Sequence, residues 1–168
     1  MTRIGCYPGT FNPLTVAHLA VAEAGRDAGP LDRVDLVVSV DSLGKAGPTG
    51  AELQRRLDLL RAAVERHDWL GLEVTDHQLI VDIAQGYDVV IMGADKWRQV
   101  NDPAWYDDDT AARDAAVARL PRALVAPRGD DEPDDVELLD VDRAHRSVSS
   151  TAVRAGEAEA HRWTSPVP

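Results

Sequence analysis

"CYPGTFNPLTVAHLAVAEA", residues 6–24, changes periodicity in the middle, and that change decides the fold. Residues 2–7 read as a short apolar strand that stops at Pro8-Gly9. From about Thr15 to Ala28 the apolar positions Leu19, Val21, Ala22 and Ala24 describe a largely buried helix. A strand that enters a helix through a Gly/Pro loop is the first half of a parallel βαβ unit. Within the loop, Gly9 permits close backbone approach to a ligand, and Pro13 sits just ahead of the helix.

The same alternation continues outward. "RVDLVVSV" (33–40) is a β-branched strand, and "DSLGKAGPTG" (41–50) is a loop. A helix over about 51–67 carries Leu53, Leu57, Leu60 and Val64 on one face. "GLEVTD" (71–76) is a strand, "HQLIVDIAQ" (77–85) a short helix and "YDVVIMG" (87–93) a fully buried strand. The polar, aromatic stretch "ADKWRQVNDPAWYDDD" (94–109) reads as irregular. Beyond it lie a helix over 110–119, a strand "RALVAP" (122–127), a solvated acidic run and a last short strand "VELLDV" (136–141). A further helix starts at "SVSSTAVR" (147–154). This order predicts one α/β domain over residues 1–168, a doubly wound parallel sheet of about five strands with helices on both faces. The loops 8–18, 41–50 and 93–106 each follow a strand, so they share the rim where such sheets bind ligands.

A formal net charge of -11 argues against a nucleic-acid partner, which requires a basic footprint. It leaves room for a small anionic ligand held by a local cluster of cations. Only two of the 18 basic residues are lysines, Lys45 and Lys96, so their locations matter. The single cysteine, Cys6, rules out an internal disulfide or a cysteine-based zinc site. No stretch is long enough to span a bilayer and "MTRIGCYPGTF" lacks a signal-like apolar region, so no membrane partner and a cytoplasmic location are expected.

Three constellations on the rim carry chemistry. Thr15 and His18 are i and i+3 at a helix start, where unpaired N–H groups and the positive dipole end favour phosphate. The bland alternative is a threonine cap beside an incidental histidine. Ser149, Ser150, Thr151 and Arg154 supply hydroxyls and a forked cation for a polyphosphate, or simply a capped helix with a solvated arginine. Gly93 and Asp95 follow the buried strand and suit a ribose or a ligand amide. Trp97 and Trp105 then either stack a flat ring or pack the domain edge.

"GTFNPLTVAH" together with "SSTAVR" some 130 residues later resembles the two phosphate-binding signatures of the nucleotidylyltransferase superfamily. Ala17 stands where the commoner first signature has glycine. The resemblance is nearest to the nicotinamide or nicotinate mononucleotide adenylyltransferases, through "GK" at 44–45, Arg56, "GAD" at 93–95, Pro103, Trp105 and "LVAPRG" (124–129). Phosphopantetheine adenylyltransferases also begin "YPGTF" and share "LIVDIAQ", but their Arg-Gly-x-Arg motif is replaced here by Met92-Gly93-Ala94-Asp95. After Arg154, "AGEAEAHRWTSPVP" departs from the longer C-terminal helical segment of the nearer family, with a truncated tail, a rebuilt tail or completion by a partner subunit as the expectations and a homo-oligomer left open.

The resemblance implies a Rossmann-like fold and transfer of AMP from ATP to the mononucleotide, with pyrophosphate released. It assigns catalysis to His18, Thr15, Lys45 and Arg154. ATP would be bound by Gly9, Thr10, Phe11, Thr15, His18, Gly93, Asp95, Ser149, Ser150, Thr151 and Arg154. Thr10, Asn12, Lys45, Arg56, Trp97 and Trp105 would meet the acceptor. Mg²⁺ would be carried on ATP phosphates without a dedicated protein ligand. Alternatives are adenylyl or cytidylyl transfer to another phosphorylated acceptor such as phosphopantetheine, and a catalytically silent nucleotide-binding protein.

Overall fold

A computed structural model describes residues 1–41 and 49–146. Five longer strands, β1 (Ile4–Pro8), β2 (Arg33–Ser39), β3 (Leu70–Thr75), β4 (Val89–Gly93) and β5 (Arg122–Ala126), and the two-residue β6 (Glu137–Leu138) form one sheet. Its order is β3-β2-β1-β4-β5-β6, and every pairing is parallel. The chain reverses its direction of winding between β1 and β4, which makes that gap the switch point.

The alternation of strand side chains explains why helices are needed on both faces. In β4, Val89 and Ile91 join one core cluster while Val90 and Met92 join another. In β5, Leu124 and Ala126 face the first cluster and Val125 the second. Both faces of these central strands are therefore apolar and must be covered. The first cluster is completed by Val21 of α1 (Val16–Ala28) and by Leu57 and Leu60 of α2 (Gly50–Val64). The second is completed by Val81 of α3 (Ile80–Ile83), Val100 of α4 (Ala94–Asn101) and Ala116 of α5 (Thr110–Val117). Gly25 lets α1 lie close on the sheet, because a Cβ there would collide with Ile91.

Two expectations are corrected. The stretch 94–109 is not irregular: α4 begins directly after β4, and a 3-10 turn follows at Pro103–Tyr106. Ala94, Trp97 and Val100 pack at helical spacing on the second cluster, with polar residues between them that hide the pattern. The last strand is also shorter than 136–141. The paired register with β5 covers Glu137 and Leu138, Leu139 N–H adds a 2.8 Å bond to the Val125 carbonyl, and Leu139 and Val141 are buried. A four-residue helix, α6, occupies Arg143–Arg146. The expected helix start at 147–154 lies outside the described residues.

Candidate active site

The site begins where β1 ends. Gly9 N–H donates to the carbonyl of Val37 at 3.0 Å, which turns the chain over the end of β2. Phe11 then adopts a left-handed backbone, φ 45°, and puts its ring into the core. That ring meets Tyr7 edge-on at 5.2 Å and His18 at 5.1 Å. A Cβ on Gly9 would lie 2.7 Å from the Phe11 ring, so the glycine is required by packing. Phe11 therefore shapes the loop through its buried ring, and only its backbone can face the rim.

Thr15 is completely buried and caps α1. Its hydroxyl accepts from His18 N–H at 3.3 Å, and His18 Nδ1 accepts from Thr15 N–H at 2.9 Å. Thr15 Oγ1 also lies 3.0 Å from Nδ1. The cap and the oriented histidine are thus one device. With Nδ1 accepting, the ring proton belongs on Nε2. Burial, with a smaller contribution from the Arg128 guanidinium, pushes the His18 pKa down to about 4. At neutral pH the imidazole is an uncharged N–H donor. Ala17, the departure from the commoner signature, is buried.

Arg128 is a residue that sequence reading passed over. Gly93 of β4 and Ala126 of β5 are register partners, so the segments that follow them start level on the same rim. Arg128 and Asp131 close a tight turn through 3.1 and 2.8 Å backbone hydrogen bonds. The carboxylate of Asp131 is engaged by Arg98, with Nε at 2.8 Å. The exposed Arg128 acts electrostatically on both His18 and Tyr7, and Asp95 acts on Tyr7 as well. The charges of Arg128 and Asp95 are thus felt at the β1/β4 switch point. The sequence did carry a signal for it, since Arg128 lies within the "LVAPRG" stretch of the resemblance, but no role was assigned to it.

Beside them opens a cleft. Thr10, Val37, Ile83, Val100 and Trp105 line it, with Lys96 and Gln99 on the α4 side. This is a mostly apolar hollow with a few polar groups, the usual form of a small-molecule site. The two tryptophans separate. Trp105 lines the cleft, whereas Trp97 donates its indole N–H to Asp135 at 3.0 Å and packs on the second core cluster. Of the other expected residues, Asn12 is exposed at the loop tip, and Gly93 caps α4 with Asp95 in its first turn. Arg56, in the second turn of α2, does not line the cleft. Lys45, Ser149, Ser150, Thr151 and Arg154 lie outside the described residues. No helix among those described is long and apolar enough to cross a membrane.

A doubly wound α/β domain with a helix-capped histidine and a cleft at its switch point defines a nucleotide-binding protein of the Rossmann-like class. The chain belongs to the cytidylyltransferase-like family, which it matches over residues 6–156. A probable nicotinate-nucleotide adenylyltransferase of Bordetella pertussis is 32% identical over 145 residues, covering 76% of this chain and 69% of its own. One from Flavobacterium johnsoniae is 26% identical over 174 residues, covering 90% and 84%. A phosphopantetheine adenylyltransferase of Rhodospirillum rubrum is 35% identical over 96 residues, covering 54% and 53%. In fold, the chain resembles the Plasmodium falciparum nicotinic acid mononucleotide adenylyltransferase complexed with NaAD, with TM-score 0.69, 13% identity and coverage of 99% and 92%.

Proposed function

We propose that this protein is an adenylyltransferase that joins ATP to a pyridine mononucleotide. An oxygen of the mononucleotide phosphate forms a bond to the α-phosphorus of ATP, and the bond from that phosphorus to the bridging oxygen breaks, releasing pyrophosphate. The attacking phosphate is already anionic, so no base is required. Catalysis consists of positioning and of stabilising charge on the phosphate oxygens. The observation that carries the reading is His18, held neutral and fixed by Thr15 at the N-terminus of α1, beside Arg128 and next to an aromatic-lined cleft.

In this reading His18 Nε2–H donates to a phosphate oxygen of ATP, the backbone N–H groups of the 9–15 loop and α1 assist, and Arg128 supplies positive charge. Lys45, Ser149, Ser150, Thr151 and Arg154 complete the phosphate cradle. Asp95 borders the ribose and Trp105 stacks the pyridine ring. Mg²⁺ would be carried by ATP oxygens and water, where the ion screens phosphate charge.

The test is a coupled pyrophosphate assay with ATP or CTP against nicotinate mononucleotide, nicotinamide mononucleotide and phosphopantetheine. Release with ATP and a pyridine mononucleotide is expected. The phosphopantetheine arm matters because Leu79, Ile80 and Ile83, within the stretch shared with that family, wall the cleft. Turnover only there would replace the pyridine reading.

A further inference from the structure

The acidic run after β5, residues 129–137, is tied down rather than freely solvated. Pro133 in its middle is buried, and Asp131, Glu132 and Asp135 are each engaged by another element. On one side, α4 supplies Arg98 to Asp131 and the Trp97 indole N–H to Asp135. On the other, Arg146 at the end of α6 donates from Nη1 to the Glu132 carboxylate. Arg146 Nε also donates to the Val141 carbonyl at 3.3 Å, and its own carbonyl accepts from Gly129 N–H at 3.2 Å. The Arg146 side chain is 15% exposed against 49% for Glu132, so the arginine is the fixed member of the pair. The 128–132 turn is thus bonded to α6 at two points, and α6 packs against α1, the helix that carries His18.

We infer that Arg146 is a positioning residue: through Glu132 and Gly129 it fixes the turn that carries Arg128, and so sets where that guanidinium meets the phosphates of a bound nucleotide. The inference rests on the adenylyl-transfer reading for the role of Arg128. Arg128 is exposed, and among the described residues no hydrogen bond or ion pair holds its side chain. Its place therefore depends on its backbone, and the backbone depends on what grips the turn. A loose turn would lose conformational freedom on binding and would present the charge off its mark, which weakens a phosphate contact. Arginine suits the grip because its planar fork serves a carboxylate and a carbonyl at once. The two arginines divide the work, Arg146 bonding inward and Arg128 facing outward.

Calorimetric titration of the full chain with ATP and Mg²⁺ tests this independently of turnover. Arg128→Gln should weaken ATP by about tenfold, and Arg146→Gln by about three- to tenfold. In the Arg128→Gln background, Arg146→Gln should add less than about twofold, because both act through one contact. Glu132→Ala, at a half-exposed position, keeps the test open if Arg146→Gln does not fold. It should weaken ATP by about threefold, although removing a carboxylate would by charge alone tighten an anion. A ring NMR titration of His18 should move upward in Arg146→Gln as in Arg128→Gln, since both withdraw the same guanidinium. Losses that multiply in the double variant would overturn the inference, as would tighter or unchanged binding in Glu132→Ala, or an unmoved His18 titration. So would unchanged ATP affinity in Arg128→Gln or Arg146→Gln, or a wild type that binds no ATP. If the coupled losses appear but no acceptor elicits pyrophosphate, the inference stands and the transfer reading falls. Turnover with multiplying losses removes the inference alone.

Discussion

Two helices of this protein start with the same bonds and do different things. At α1, Thr15 accepts from the N–H of residue 18, and the His18 side chain accepts from Thr15 N–H. At α2, Thr49 accepts from the N–H of residue 52 at 3.3 Å, and the Glu52 carboxylate accepts from Thr49 N–H at 2.8 Å. Both are reciprocal capping boxes. Thr49 and Glu52 are exposed, and hydrogen bonds from Thr49 hold the Glu52 carboxyl below its usual range. Thr15 is buried, and His18 is kept neutral. For stability alone a glutamate at position 18 would suit the positive helix end better than an imidazole. It would also repel a phosphate. The histidine is the choice that keeps the cap and leaves the helix end open to an anion.

The largest break in this comparison should come from truncating the two box residues. His18→Ala is expected to lower kcat by about 100- to 1,000-fold, the scale of a lost oxyanion donor. Glu52→Ala should leave turnover near wild type and shift only the unfolding midpoint. Steady-state pyrophosphate release and denaturant melts on both variants check this, and comparable activities would undo the distinction.

The next effect is in pH. The folded His18 pKa of about 4 lies below its ordinary 6.5, so between these values the unfolded chain binds the extra proton. Its contribution to stability is complete above pH 6.5 and is lost as the pH falls toward 4, by up to about 3 kcal/mol. Glu52 works lower on the scale, its contribution being lost as pH falls through its depressed carboxyl range. Urea melts across pH 4–7 should show the His18 slope in the wild type and a flatter one in His18→Gln.

A smaller effect separates the two threonines. Thr15→Val and Thr49→Val should each cost about 1–2 kcal/mol of stability as lost caps. Only Thr15→Val should also reduce turnover, by about tenfold, because it removes the hydroxyl beside Nδ1 and leaves the backbone N–H alone to hold the ring. Matched kcat values for the two variants would argue against an orienting role. The smallest effect is expected at Trp97→Phe, where loss of the bond to Asp135 should cost about 1 kcal/mol and leave acceptor KM unchanged. A raised acceptor KM there would return Trp97 to the cleft.

Much of the fold was legible because burial on both faces leaves long apolar runs. The β4 expectation, 87–93, overshoots the observed strand by two residues, and the helix expected from about Thr15 begins at Val16. Helix α4 was not legible, since Val100 and Trp97 earn their place only once β4 and β5 are beside them. The same limit applied to the site. Thr15 and His18 are three residues apart, so a local motif could name them. Arg128 lies 110 positions from His18 in the chain and reaches it only through the order of the sheet.

By itself, then, the sequence determined the alternating α/β order, the rim on which chemistry would sit and the Thr15–His18 pair. These depend on periodicity and short-range spacing, which act within a few residues. Tertiary structure decided that Phe11 and Gly9 serve packing, that Trp105 rather than Trp97 faces the cleft, and that His18 is neutral beside Arg128. Burial and electrostatic environment are set by residues distant in the chain, so no local pattern can carry them.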